Sequence, residues 1–479
     1  MTSVPAVVVA PSQTRHHLIA SAILIIGTLS LYFYVTVSLA ILFAHGSAQM
    51  DFDQFYTAGR AVRAGLDPYQ NNYFTRPRVW DGVTTARTTG FIYTPFAAWL
   101  FASLAALPYA EVKLLWSLAQ SPLLLLAGVG ATLWIGRGTR TRIFGISLLF
   151  LWAALFFPLW FEIERGQIDV VLLLGFIAAG LLCDAPLSAR YSRWGPIIAG
   201  MLLAATAFVK LHMLFLLPLL LLRGRWRTAI AAALTLPLIW GLQTLLLPGL
   251  THAYATQDLP RIAHYGAQPP PGTPLSSIHM PVNGTWLIQG ISYEPQAQGL
   301  LSGSHPVNAS LARALLSLFP GASYTLLSLA VVAVLLGLIV ICVPSRVYRA
   351  LAPGVESFTF WLAGLCVVLL AAPLTWTMNL VWLLCAIPLL LVWPRRSAWL
   401  LLLVGLLLAT APDATVVSVL SVLPMPLAAP LFALKYVLSV LLVFIACLLQ
   451  LHVISSRHQE HGYASNECWC KQNTATRAR

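Results

Sequence analysis

The chain has 479 residues, of which 59% are hydrophobic and only 9% are charged. Soluble domains carry about 25% charged residues, so this composition excludes an ordinary soluble protein and indicates an integral membrane protein. The formal net charge of +13 is no sign of nucleic-acid binding, because the basic residues form small clusters between apolar runs.

Apolar runs follow one another along most of the chain. A membrane-spanning helix needs about 20 apolar residues, and twelve runs come near that length. They are 18–44, 112–135, 143–161, 168–183, 196–209, 211–222, 227–248, 325–343, 357–373, 379–393, 397–411 and 430–454. The run 18–44 is longer than the apolar part of a signal peptide, so we interpret it as a retained first span.

The basic clusters predict how these spans are oriented. The run 91–107 is also apolar, but if it lies as a helix on the outer surface, every basic cluster falls on one side. That side is cytoplasmic by the positive-inside rule. The fold expected is an all-α polytopic membrane protein with about 12 transmembrane helices and both ends in the cytoplasm.

The spans would form a single transmembrane domain over residues 1–454, followed by a flexible cytoplasmic tail over 455–479. Two outer loops are long: 45–111 contains the surface helix, and 249–324 is rich in proline and glycine. With this orientation the polar segments collect on the outer side, which predicts one outward-facing site built by several loops.

The first outer loop opens with Asp51-Phe52-Asp53-Gln54-Phe55-Tyr56. Ionised groups at a membrane edge are costly and often functional, and a carboxylate there can take the proton of an attacking alcohol. A solvated loop or a helix cap is the structural alternative. Asp51 and Asp53 would share a face in an extended segment but not in a helix. Arg60, in the same loop, suits a phosphate or an anionic lipid headgroup equally well.

Two further polar segments follow. A short loop holds Glu162, Glu164, Arg165, Gln167 and Asp169, which can bind sugar hydroxyls or pair with one another.

Lys210 interrupts an apolar stretch at the outer end of a short helix, where it can bind a lipid phosphate or extend its amine to the membrane surface. His212 beside it has the character of a packing or capping residue. Trp376 can stack on a sugar or belong to the aromatic belt of the membrane interface.

Taken in order, these segments resemble glycosyltransferase family 87, over about residues 15 to 400. The similar segments are Asp51 to Arg60 with Gly65 to Tyr69, Phe91 to Phe96, Arg165 to Asp169, Phe208 to His212, Arg223 to Arg227, Val282 to Thr285 and Pro373 to Asn379. The chain departs from the family pattern at Thr94 and Gly284, and it lacks a pair of histidines after Trp376.

The resemblance implies a GT-C-type fold and transfer of a hexose, with mannose expected, from a polyprenyl-phosphate sugar. The acceptor would be an envelope glycolipid or glycan on the periplasmic side of the bacterial inner membrane. Asp51 would be the catalytic base, and no cofactor or metal is expected. The predicted substrate-binding residues are Asp53, Tyr56, Arg60, Glu164, Gln167, Lys210, His212, Asn283 and Trp376.

A transporter or flippase of a lipid-linked saccharide is the alternative function. It would use the same cationic and aromatic residues but would not need Asp51 as a base. Such transporters often contain internal repeats, and no convincing repeat is present, which favours the enzyme.

Overall fold

A computed structural model of the chain describes residues 11–45, 50–69, 91–136, 138–184, 193–259, 310–319, 322–343, 351–372, 375–424, 431–432 and 434–456. Within these ranges the secondary structure is helical and no β-strand occurs, which confirms the all-α class. Most of the long loop 249–324 and nearly all of the tail 455–479 lie outside the described residues.

Helices occupy most of the described ranges. In chain order they are α1 (Pro11–His45), α2 (Met50–Arg63), α3 (Pro95–Leu104), α4 (Tyr109–Ile135), α5 (Thr139–Leu155), α6 (Phe157–Arg165), α7 (Asp169–Asp184), α8 (Gly195–Val209), α9 (Leu217–Leu222), α10 (Trp226–Leu246), α11 (Pro248–Ala253), α12 (Leu311–Leu318), α13 (Tyr324–Cys342), α14 (Val355–Ala371), α15 (Arg396–Thr410), α16 (Asp413–Leu420) and α17 (Leu434–Ser456). Leu211–Leu216 and Thr377–Leu391 are 3₁₀ helices, and Tyr254–Asp258 is a π-helical turn.

Five of the described helices are long and apolar enough to cross a membrane, and the bent pair α5–α6 would make a sixth. The five are Ile19–His45, Tyr109–Ile135, Trp226–Leu246, Thr325–Cys342 and Leu434–Ser456. The larger count of twelve stays a prediction. Helices such as α8 and α15 have 15 residues, and an α-helix of that length covers about 22 Å of a hydrocarbon core that is about 30 Å thick.

The centre of the assembly is formed by α14 and the 3₁₀ helix Thr377–Leu391, whose side chains are almost all buried. Trp361 and Trp382, one from each helix, are among the largest fully buried side chains. A 3₁₀ helix rises about 2.0 Å per residue, so these 15 residues cover about 30 Å. The stretched conformation therefore lets a short segment reach across the thickness of a bilayer.

Helix α3 is anchored at its start by hydrogen bonds to two other helices. Thr94, the N-cap residue, donates from Oγ1 to the carbonyl of Phe208 at the end of α8, 2.8 Å away. The amide of Phe96 donates to Oε1 of Gln243 on α10 over 2.8 Å. With 10 residues, α3 is about 15 Å long and too short to cross a bilayer, and its place on the outer surface stays a prediction.

Gly59 allows α2 to lie directly against the backbone of α3. A Cβ atom at Gly59 would be 2.6 Å from the carbonyl oxygen of Phe101, a backbone atom that cannot rotate away. We therefore expect Gly59→Ala to destabilise the protein by about 1–3 kcal/mol through overpacking. The measurement is the thermal unfolding midpoint of the purified protein in detergent.

Gly27→Ala is the matched control, because a Cβ on this residue of α1 would meet nothing within 4 Å. Its midpoint should equal that of the unmodified chain or exceed it, since alanine favours helix over glycine. Equal midpoints for the Gly59 and Gly27 variants would show that α2 and α3 do not pack as closely as described.

Candidate functional site

Helix α2 separates its two acidic side chains. Residues two apart in an α-helix are rotated by about 200° about the helix axis, so their side chains lie on nearly opposite faces. Asp53 is fully buried and accepts a hydrogen bond from the hydroxyl of Tyr109. Lys113, one turn further along α4, lies near enough to attract it. Asp51 lies on the other face, where Nε2 of Gln54 donates to its Oδ1 over 3.1 Å.

A bend between α5 and α6 brings a second acidic segment to the site. The helices meet at 63°, just before Pro158. Proline has no amide hydrogen, so Pro158 cannot bond to the carbonyl of Ala154 as a regular helix would require. The indole of Trp160 donates to that carbonyl instead, over 3.0 Å. The carbonyl of Ala154 thus finds a hydrogen-bond donor within the bend itself.

The turn between α6 and α7 places Glu162 at the N-terminus of α7. Gly166 ends α6 with a φ of 68°, a left-handed conformation that glycine adopts without strain. Oε1 of Glu162 then accepts the amide of Asp169 over 2.8 Å, which caps the first turn of α7. The indole of Trp116 donates to the Gly166 carbonyl over 2.8 Å and ties this turn to α4.

Asp169 joins three elements. The α8 helix ends at Val209, and Lys210 adopts an extended conformation there, before the 3₁₀ helix Leu211–Leu216 begins. From this break Nζ of Lys210 donates to Oδ2 of Asp169 over 2.6 Å. Nδ2 of Asn379 donates to Oδ1 over 2.8 Å, and the indole of Trp382 donates to the Asp169 carbonyl over 3.0 Å.

Tyr93 lies between the α2 residues and this ion pair. Its hydroxyl donates to Oε1 of Gln167 over 3.1 Å, and Nε2 of Gln120 donates to the Gln167 carbonyl over 2.7 Å. Burial raises the pKa of Tyr93 well above its ordinary value, and the carboxylates of Asp169 and Asp51 raise it further. The phenol therefore stays protonated at neutral pH and acts as a hydrogen-bond donor.

The hydrogen bonds of Tyr93 with Gln167 and of Asp169 with Glu162 and Lys210 join segments that are far apart in the sequence. Asp51 lies near enough to Tyr93 to raise its pKa, so these buried residues form one cluster. Acidic groups outnumber the single lysine within it. Across the part of the chain that the structure describes, no group of three or more His, Cys, Asp or Glu side chains is arranged to hold a metal ion.

Tyr56 and Arg60 lie further along α2, on the side that faces α3. The hydroxyl of Tyr56 donates to the carbonyl of Leu107 over 2.8 Å. The guanidinium of Arg60 lies over the Tyr56 ring, 5.9 Å from its centroid, and is half-buried. These contacts hold the start of the first loop together, and a role of either residue in substrate binding stays a prediction.

Other predicted residues surround the Asp169 ion pair. His212 lies with its ring centroid 6.1 Å from that of Trp382. Trp376 is half-buried, and its backbone amide donates to Oδ1 of Asn379 over 2.6 Å. Because Nδ2 of Asn379 donates to Asp169, both the oxygen and the nitrogen of the Asn379 side chain are hydrogen-bonded. Asn283 lies outside the described residues.

Sequence reasoning selected Glu164 from the acidic loop, but the structure places Glu162 in the cluster and leaves Glu164 half-buried on another face of α6. Tyr93 and Gln120 were not selected either. Gln120 carried a usable signal, since it is a polar side chain within an apolar run, and such residues usually face the interior of a helix bundle. Tyr93 carried none, because tyrosine is common at membrane interfaces.

A second polar cluster lies at the other end of α7. Asp184 accepts Nη2 of Arg225 over 2.5 Å, the indole of Trp361 over 2.7 Å, and the hydroxyl of Ser357. The 16 residues of α7 make it about 24 Å long. The basic segment around Arg225 is thus paired internally and is remote from Lys210.

Comparison with family models matched residues 91–291 to Glycosyltransferase family 87. The match includes Tyr93, Gln167 and Lys210 and covers about two fifths of the chain, without the helix that carries Asp51. Neither the curated proteins nor the solved structures gave a match. This match confirms the family resemblance of the sequence motifs over residues 91–291: it supports assignment of the chain to glycosyltransferase family 87 and, with the apolar helices, a membrane glycosyltransferase.

Proposed function

We propose that this glycosyltransferase moves a hexose, specifically mannose, from a polyprenyl-phosphate sugar to an envelope glycolipid or glycan. The reaction would take place on the periplasmic side of the bacterial inner membrane. The observation that carries the proposal is the buried cluster itself, in which Asp51, Tyr93, Glu162 and the Asp169–Lys210 pair come together. It offers a base, hydrogen-bonding groups and a cation within one site.

In the proposed reaction, Asp51 removes the proton from an acceptor hydroxyl, and the resulting oxygen attacks the anomeric carbon of the sugar. The bond from that carbon to the phosphate oxygen breaks, its electron pair leaves with polyprenyl phosphate, and the anomeric configuration inverts. Asp51 is suited to this role because its carboxylate lies within the buried cluster, where the neutral amide of Gln54 donates to its Oδ1 over 3.1 Å.

Lys210 is proposed to bind the donor phosphate and to stabilise the negative charge that develops on it. A lysine ammonium has three N–H donors, and Asp169 accepts one of them in the structure. Asp169 and Asn379 would hold the amine in position for the phosphate. Arg60 is proposed to contact the same phosphate or an adjoining lipid headgroup.

The remaining predicted residues are proposed to position the two sugars. Gln167 is the best placed of them, because its side chain is already engaged by Tyr93 and its backbone by Gln120. The others proposed for this role are Asp53, Tyr56, Glu164, His212, Asn283 and Trp376.

Incubation of the purified protein with radiolabelled polyprenyl-phosphate mannose and a lipid extract tests the function. We expect a labelled product that partitions with glycolipid or glycan, together with release of polyprenyl phosphate. In sealed proteoliposomes, label that only changes leaflet would favour the flippase instead. Label that neither reacts nor moves would contradict both functions for this donor.

A further inference from the structure

Three buried oxygen atoms around the cluster accept no hydrogen bond from any described residue. They are Oε1 of Gln54, Oε1 of Gln120 and Oε2 of Glu162. The side chains are 4%, 1% and 0% exposed, respectively. A buried acceptor without a donor is destabilising, so such atoms call for a specific explanation. Each belongs to a different helix, namely α2, α4 and α6.

The hydrogen bonds donated by the amide nitrogens of the two glutamines determine that their oxygen atoms are acceptors. Nε2 of Gln54 donates to Asp51, and Nε2 of Gln120 donates to the carbonyl of Gln167. If either amide were flipped, its oxygen would face another acceptor, so the assigned orientation is the favourable one. In Glu162, Oε1 already accepts the amide of Asp169, which leaves Oε2.

The three groups belong to one network centred on Tyr93. Gln54 joins it through Asp51, Gln120 joins it through Gln167, and Glu162 acts on Tyr93 directly. The donors of Lys210 and Asn379 meet at Asp169, whose amide is bonded to Glu162. The cluster therefore has an acceptor-rich part at Gln54 and Gln120 and a donor-rich part at Lys210 and Asn379, and Glu162 lies where the two parts meet.

We propose that Gln54, Gln120 and Glu162 bind hydroxyl groups of the transferred sugar, and that they determine which hexose the enzyme accepts. The inference rests on the proposed function. A sugar hydroxyl can donate to each of these oxygens, whereas the phosphodiester of the donor has only acceptor atoms. The sugar ring thus faces the acceptor-rich part, and the phosphate faces the donor-rich part with Lys210.

Deoxygenated donors test the proposal. The full-length protein in lipid nanodiscs is given a short-chain polyprenyl-phosphate mannose and its 2-, 3-, 4- and 6-deoxy analogues, and both Kd and kcat/KM are measured. We expect at least one missing hydroxyl to weaken binding by about ten- to a hundredfold, because it leaves a buried oxygen without its donor. In Gln54→Met or Gln120→Met, the penalty for the paired hydroxyl should fall to within about threefold, as in a double-mutant cycle.

Gln450→Met is the matched control. Its Oε1 is also buried without a donor from the described residues, but the carbonyl of the adjacent Leu449 accepts Nη1 of Arg395, which follows the end of the 3₁₀ helix Thr377–Leu391 that is opposite to Asn379. The variant should keep every deoxy penalty of the unmodified chain. Gln120→Asn provides a milder second variant if Gln120→Met fails to fold, since it retains the amide and withdraws the oxygen by one methylene.

The experiment distinguishes failure of this inference from failure of the proposed reaction. Deoxy penalties that are the same in all variants and in the unmodified protein would overturn the inference and indicate that water serves these acceptors. Variant-specific penalties in Kd without any transfer of mannose would support the sugar site and overturn the proposed reaction instead.

Discussion

Asp51→Asn is expected to lower mannosyl transfer by about a thousandfold, within the range that a general base contributes. Asparagine has nearly the same shape, and its oxygen can still accept the hydrogen bond from Gln54, so the fold should persist. It cannot accept the proton of the sugar acceptor. The measurement is the initial rate of label transfer from polyprenyl-phosphate mannose, normalised to the folded protein.

Asp53→Asn is the matched control, because it makes the same chemical change two residues away. Asp53 accepts from the Tyr109 hydroxyl and attracts Lys113, so its loss should lower the unfolding midpoint. Transfer per folded molecule should fall much less than in Asp51→Asn. Equal activities of Asp51→Asn and the unmodified chain would exclude Asp51 as the base, and a greater loss in the Asp53 variant would reverse the ranking.

Lys210→Met is expected to affect both stability and activity. It leaves the fully buried Asp169 without its cation, and breaking a buried ion pair on one side costs about 3–5 kcal/mol. Transfer should be lost as well if Lys210 binds the donor phosphate. Thermal unfolding and transfer assays on the same preparation measure the two effects.

The double variant Lys210→Met/Asp169→Leu separates the effect on stability from the effect on transfer. Replacing both charges with apolar side chains is often neutral for stability, so the unfolding midpoint should recover while transfer stays absent. Recovery of transfer in the double variant would show that Lys210 is only a structural partner of Asp169. Arg225→Met, at the far end of α7, is the control for general loosening of that helix and should leave transfer per folded molecule unchanged.

The choice between neighbouring acidic residues illustrates the limit of sequence reasoning. Asp51 and Asp53 had equal claims from their chemistry, and only the family resemblance ranked them. The structure separates them because Met50–Arg63 is helical, so that one faces Tyr109 and the other faces the Tyr93 network. The same periodicity places Glu162 and Glu164 on different faces of α6, and which face meets the cluster depends on what the short helix packs against, so the role of Glu164 stays a prediction.

The type of helix that an apolar run forms is also beyond what the sequence pattern predicts. Apolar runs predicted helices well, because burying a backbone in lipid requires internal hydrogen bonds. The segment 377–391 is apolar on every side, so its pattern contains no period that distinguishes a 3₁₀ helix from an α-helix. Its conformation depends on the helices around it, and so does the length of bilayer it can cover.

The sequence by itself determined the all-helical class and the apolar segments long enough to cross a membrane, and it contains the motifs that resemble a glycosyltransferase family. Composition, apolar runs and short motifs are local properties, and each can be read without knowing the fold. Only the tertiary structure decided that Glu162, Tyr93 and Gln120 join Asp51 and Lys210. The reason is physical: buried hydrogen-bond partners are chosen by helix packing between residues that are distant in the chain, and local sequence does not encode those distances.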